Sequence, residues 1–180
     1  MTIPGNEKTV VIIGGGPGGL GAAKSLLEHG ANVMLIDESQ ALGGQYFKQF
    51  LAALGVHRSL EIDHLNQEGR TRMAQLPRER LTVRPNTLVW ALFPDREMAL
   101  YSDSEVDVLR PDAVVLAPGA VERIAAFPGW TLPGVMTAGA AQTLISREAI
   151  LPGKRFLLAG TGPLLLAIAQ EIAEAGGEVV

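Results

Sequence analysis

The chain has 180 residues, 47% of them hydrophobic and 19% charged, which is enough apolar material to bury a core in one domain, or in one domain and part of another. Fifteen basic against 19 acidic side chains give a net charge of −4 with no Lys/Arg cluster, which argues against nucleic acid or an anionic membrane as partner. Cysteine is absent, which excludes disulfides, thiolate metal sites, iron–sulfur ligation and a redox dithiol from these residues.

The opening MTIPGNEKT is polar and lacks a basic segment followed by an apolar one, so VVII behind it reads as a strand and not as a signal peptide. Thr9–Ile13 is a β-branched run that ends in glycines. Leu20–Glu28 then carries good helix formers up to Gly30, a C-cap residue, and Asn32–Ile36 is a second apolar run. Together they predict a strand, helix, strand unit suited to a buried parallel sheet. Beyond it the pattern predicts a helix over 64–78, strands at Leu81–Arg84, Thr87–Phe93, Glu97–Tyr101 and Ala113–Leu116, and a helix over Ala138–Glu148. A second strand, helix, strand unit begins at Arg155. Its glycines repeat the first set 146 residues on, from Gly14 to Gly160, which suggests two related modules. The apolar stretch Phe156–Ala169 is shorter than the roughly 20 residues a membrane helix needs, and the expectation is a soluble cytoplasmic protein.

The first module carries the chemistry. In GGGPGG, Gly14, Gly16 and Gly19 form G-x-G-x-x-G between a predicted strand and a predicted helix, with Pro17 and Gly18 at the helix start. The first glycine permits a tight turn, the second lets backbone approach a pyrophosphate and the third lets helix and strand pack closely. The helix N-terminus offers free N–H groups and a positive dipole end to that phosphate. Asp37 follows 23 residues after Gly14, at the end of the second strand, where a carboxylate accepts hydrogen bonds from ribose hydroxyls. Glu38 beside it either shares that role or is a solvated surface charge.

The stretches GGGPGGLGAA, IDE followed by ALGGQ, VVLAPGAVER and FPGWTLPGVMTAGAAQ make the chain resemble two-dinucleotide-binding-domain flavoproteins of the glutathione-reductase type. Among them it is most similar to the FAD subunits of opine oxidases, of hydrogen cyanide synthase and of proline and hydroxyproline dehydrogenases. The resemblance implies an α/β, Rossmann-like FAD/NAD(P)-binding fold with FAD as the cofactor. It places Gly14, Gly16, Pro17, Gly18 and Gly19 at the FAD pyrophosphate, Asp37 with Glu38 at the adenosine ribose, and Gly43 and Gly44 at the flavin-side pyrophosphate and ribityl chain. It sets the Val83 backbone at the adenine. Ala117 and Gly119 lie in the strand-to-loop element that closes over FAD, with Pro118 where the family has threonine, so the carry-over is weaker at Pro118 itself.

Disulfide reductases of this type carry a cysteine pair soon after the Gly-Gly motif, where this chain reads GGQYFKQF. Electrons must then enter the flavin directly, as hydride from a reduced nicotinamide or from a C–H beside an amine nitrogen. Gln45 is either a flavin contact or a loop amide, and Lys48 either a cation near the flavin or a surface charge. His29 is expected to meet the carbonyls at the end of the first helix. His57 and His64 lack companion metal ligands, and no metal is expected. His57 and Arg58 lie near the flavin region in sequence only. Glu122 and Arg123 read as an ion pair in the crossover between modules, and Trp130 as a packing residue there.

The second fingerprint reads GTGPLL, with Gly160 and Gly162 in place but Leu165 at the third glycine position. It is a candidate second nucleotide site, either degenerate or taking an adenine nucleotide, with NAD(P) as the lesser reading. Residues 1–125 are expected to form the FAD module, 126–154 the crossover and a linker helix, and 155–180 the start of an incomplete second module. The elements that return to cover the flavin ring in this fold are expected to lie outside the chain. The functional expectation is an FAD-dependent oxidoreductase subunit that oxidises an amine or amino-acid-type small molecule, or relays its electrons, alongside a partner subunit or a second copy. The alternatives are an NAD(P)H-dependent flavin reductase and a non-catalytic nucleotide-binding subunit. No catalytic residue is assigned.

Overall fold

The computed structural model describes residues 8–47, 60–148 and 150–180. The chain divides into two compact units, Met1–Gln49 with Gln67–Gly119, and Phe50–Asn66 with Ala120–Val180.

In the first unit, strands β1 (Thr9–Ile13), β2 (Asn32–Ile36), β3 (Leu81–Arg84) and β7 (Ala113–Leu116) form a parallel sheet in the order β3-β2-β1-β7. Helix α1 (Pro17–Glu28) connects β1 to β2. Three further strands, β4 (Leu88–Leu92), β5 (Met98–Ser102) and β6 (Glu105–Leu109), make an antiparallel meander. The register pairs Val11 with Met34, Ile12 with Leu35 and Ile13 with Ile36. Alternation along each strand therefore sends Ile12, Val33 and Leu35 to one face and Val11 and Ile36 to the other. The first set packs with Leu20, Ala23 and Leu27 of α1, and with Phe47 and Leu76. The second packs with Met98, Leu100 and Leu109 of the meander. Both faces of the sheet are thus covered, which is why β1 and β2 read as continuous apolar runs without polar alternation.

Strand β6 was not expected from the sequence. The turn into it uses Asp103 and Ser104, both at positive φ, +50° and +67°, a two-residue hairpin without the glycine that usually announces one. Helix α2 runs Leu60–Ala74, about one turn earlier than the expected 64–78, and the chain after it enters β3 through Arg78, whose carbonyl accepts from Leu81 N–H. Helix α1 starts at Pro17 instead of Leu20, because proline's fixed φ suits the first helical position even behind glycines. It ends with Gly30 at φ +79° beyond the C-cap His29, and His29 Nδ1 donates to the Ser25 carbonyl at 2.7 Å.

The second unit contains α3 (Ala138–Ser146), α4 (Pro163–Glu174) and a short parallel pair, β8 (Arg155–Phe156) with β9 (Glu178–Val179). Its core is Ile145, Ile168 and Ile172. The two helices are tied by Glu171, whose carboxylate accepts from Gln142 Nε2 and Ser146 Oγ, each at 2.7 Å. Thr137 caps α3 by accepting from Ala140 N–H. The Glu122 carboxylate lies against the first turn of α3, where a Cβ on Gly139 would come within 2.6 Å of its Oε2, a place the helix dipole favours for an anion. Trp130, expected to be packed, is 44% exposed within a run of turns between Phe127 and Val135. No helix among the described residues is long and apolar enough to cross a membrane.

Candidate functional site

The site of the first unit lies beyond the carboxyl ends of β1, β2, β3 and β7, the edge where parallel α/β sheets bind ligands. Gly14 leaves β1 with its N–H donating to Ile36 O at 2.8 Å and turns at φ +103°. A side chain there would run into the Ala117 carbonyl at the end of β7, so the turn needs both the conformation and the smallness of glycine. Gly19, one turn into α1, faces the Gly14 carbonyl so closely that a Cβ would overlap it. That contact brings the start of α1 down onto the end of β1. Gly16 is the N-cap and offers no side-chain bond, Pro17 follows as the first helical residue, and Gly16, Pro17 and Gly18 leave the helix N-terminus lined by backbone.

A second glycine loop closes against the first. Gly43 N–H donates to Gly15 O at 2.9 Å, and a Cβ on Gly44 would stand 2.8 Å from Gly16 Cα. Two stretches of bare backbone therefore face each other. Gln45 and Tyr46 continue from this loop as exposed side chains, and the buried Phe47 anchors it, with the Arg72 guanidinium 5.5 Å from the centre of its ring. On the far side of the loop, Ala117 is joined to β1 by its N–H to Ile13 O at 2.8 Å, and Gly119 turns at φ +79°. Val83 lies in β3 opposite Leu35 and is 40% exposed.

The acidic pair divides. Asp37 is 8% exposed, and its two carboxylate oxygens accept from Gly15 N–H at 2.6 Å and Ser39 N–H at 2.7 Å. Glu38 is exposed at the strand exit. Sequence reasoning passed over Gly15, since the fingerprint asks only for its two neighbours. The signal was there in the run of three glycines, and a Cβ on Gly15 would stand 2.5 Å from Leu42 Cδ2 and 2.9 Å from Asp37 Oδ2. Lys48, His57 and Arg58 lie outside the described residues, and among those described no three His, Asp or Glu side chains are grouped to hold a metal ion.

The second glycine motif has a different local structure. Gly160 stands at φ +147°, and the N-cap Gly162 at φ +113°, whereas its counterpart Gly16 has an ordinary φ of −75°. Leu165 takes up the space beside Gly160, its Cδ1 only 3.0 Å from where a Cβ would be. In the first unit a Cβ at Gly14, the counterpart of Gly160, would instead meet the Ala117 carbonyl, which is backbone.

The pyridine nucleotide-disulphide oxidoreductase model matches residues 8–180. The chain belongs to that family. Among its relatives, an opine oxidase subunit of Rhizobium meliloti (strain 1021) is 36% identical over 167 residues, which are 92% of this chain and 36% of that protein. Hydrogen cyanide synthase subunit HcnB of Pseudomonas protegens is 34% identical over 176 residues, 94% of this chain and 36% of that protein. Among solved structures, the L-proline dehydrogenase from P. horikoshii superposes with a TM-score of 0.79 at 23% identity, over 98% of this chain and 36% of that one. The chain thus spans about a third of the length of these relatives. Membership of this oxidoreductase family implies FAD as the cofactor, and the solved neighbour shares the Rossmann-like fold.

The residues present fit the nucleotide half of such a cofactor. The two glycine loops bring bare backbone together at the start of α1, where a pyrophosphate needs close approach, and that helix start has no side-chain cap on its N–H groups.

Proposed function

We propose that this chain supplies the FAD nucleotide site of an oxidoreductase that takes electrons from an amine of the amino-acid type, or relays them from a partner subunit that does. The observation that carries the reading is the junction of the two glycine loops, Gly15 with Gly43 and Gly16 against Gly44, at the carboxyl edge of the parallel sheet. In this reading Gly14, Gly16, Pro17, Gly18 and Gly19 bind the pyrophosphate with backbone N–H groups and the α1 dipole. The acidic exit of β2, Asp37 and Glu38, serves the ribose end, the Val83 backbone the adenine, and Gly43, Gly44 and Gln45 the ribityl side. Ala117 and Gly119 border the cleft from β7. Bound FAD supplies a two-electron acceptor. The protein's part is to hold it by one end in a fixed orientation.

The absence of cysteine after Gly44 favours direct transfer from substrate over a dithiol relay. The substrate class follows the opine oxidase relative, and the need for a partner follows from both curated relatives being named as subunits. Leu165 lying against Gly160 supports a second module that has lost the close backbone approach of a working dinucleotide loop, so that Gly160 and Gly162 form a weakened nucleotide site and not an NAD(P) site. The test is anaerobic mixing of the whole flavin-loaded protein with an opine, L-proline or NADH while the flavin absorption is followed. Bleaching by an amine and not by NADH is expected. Bleaching by NADH alone would make it a flavin reductase, and bleaching by no donor would leave a nucleotide-binding subunit.

A further inference from the structure

We propose that Arg72 of α2 is a positioning residue for the second glycine loop, which it holds through the Phe47 ring, an inference that rests on the nucleotide reading above. The loop is tied to Phe47 in two ways. Phe47 N–H donates to Gly43 O at 3.0 Å and closes a single turn over residues 43–47, and a Cβ on Gly43 would collide with the Phe47 carbonyl. Gly43 and Gly44 stand at positive φ, +126° and +60°, and bring no side chain of their own to fix the turn. Phe47 does bring one. Its ring is 3% exposed and packs in the core shared by β1, β2 and α1, which Met73 and Leu76 enter from the α2 side.

Two largely exposed side chains meet that buried ring. Tyr46 stands edge-on to it, with ring centres 5.1 Å apart at 71°, and the Arg72 guanidinium lies over it, 5.5 Å from its centre. The guanidinium is itself held, because its Nε and Nη2 both donate to Glu68 Oε1, at 2.9 and 2.7 Å, one helical turn earlier. A surface pair at this spacing adds little by itself. Its consequence lies in where it sets the cation, over the residue whose backbone N–H closes the glycine turn. A line of contacts therefore runs from Glu68 through Arg72 and Phe47 to Gly43, and on to the first loop through Gly43 N–H and Gly15 O at 2.9 Å. Arg72 acts on the cofactor through Phe47. Since Gly43 and Gly44 serve the ribityl side in this reading, loss of Arg72 should be felt by FAD and hardly by ADP.

The experiment compares R72Q, R72K and E68A in the whole protein. It follows FAD release by flavin fluorescence, ADP affinity by calorimetry, the Gly43 amide resonance without nucleotide, and urea unfolding. R72Q is expected to release FAD about two- to fivefold faster, the range of a cation over an aromatic ring at the surface. Its Gly43 amide should move, while its ADP affinity and urea midpoint stay at the wild-type values. R72K keeps a cation without the planar fork and should fall between R72Q and the wild type. Wild-type release with an unmoved Gly43 amide in R72Q would overturn the inference, and so would equal losses of FAD and ADP with a lower urea midpoint. Should R72Q not fold, E68A decides. Freeing the guanidinium should then move the same amide and speed FAD release by a smaller factor, and a wild-type result there overturns the inference. If the protein binds ADP but not FAD, the flavin reading fails, and the Gly43 amide still decides whether Arg72 holds the loop. If it binds neither, the reading and the inference fall together.

Discussion

Two glycines of α1, two residues apart, should respond in opposite directions to alanine. A Cβ added at Gly21 would meet nothing within 4 Å, so Gly21→Ala adds helix propensity alone and should stabilise the chain by about 0.5–1 kcal/mol. Gly19 faces the Gly14 carbonyl, which is loop backbone and not a flexible side-chain tip, with Ile12 Cγ2 3.5 Å away beneath it. The added methyl must push α1 off the end of β1 or distort the Gly14 turn. Overpacking of this kind costs about 1–3 kcal/mol, which exceeds the propensity gain, and the net sign reverses. Each kcal/mol moves the melting temperature by roughly 2–4 °C in a chain of this size. Thermal and urea unfolding of the two variants followed by circular dichroism should therefore place Gly21→Ala above the wild type and Gly19→Ala several degrees below it. Gly19→Ala should also lose FAD. A Gly19→Ala protein as stable as Gly21→Ala would refute the argument that this glycine sets the approach of helix to strand.

Three further outcomes are expected. Glu171→Ala removes the acceptor shared by Gln142 and Ser146 and should cost about 1–3 kcal/mol in urea unfolding. Adding Gln142→Ala on top of it should then cost much less than Gln142→Ala does alone. Thr137→Ala removes the α3 cap and should cost about 1 kcal/mol, with Thr137→Ser close to the wild type. Ile12→Ala empties a fully buried position between β1 and α1 and should cost about 2–5 kcal/mol, seen as a lower midpoint of denaturation.

Much of the first module was legible in order of residues. Thr9–Ile13 and Asn32–Ile36 were readable as parallel strands because both their faces are buried, which leaves an apolar run with no alternation to interpret. Strand β6 escaped although Glu105 to Leu109 alternates polar and apolar, because the run is only five residues long and its hairpin uses Asp103 and Ser104 in place of the glycine that marks a tight turn. The partition of the acidic pair was not legible either. A carboxylate at the end of β2 looks the same in sequence whether or not it also holds a backbone amide, and only the position of Gly15, 22 residues upstream, shows that Asp37 does.

The sequence by itself determined the strand, glycine loop, helix order, the lack of any thiol and the loss of the third glycine at Leu165, since each is a matter of residue type at a given spacing. Tertiary structure decided that Ala117 walls the Gly14 turn, that Gly43 closes on Gly15, and that Asp37 is buried against the Gly15 amide while Glu38 stays exposed. These depend on where β7, the second glycine loop and the exit of β2 converge at one sheet edge. Spacing along a chain fixes which groups are available, and only the packing of distant segments fixes which of them already have partners.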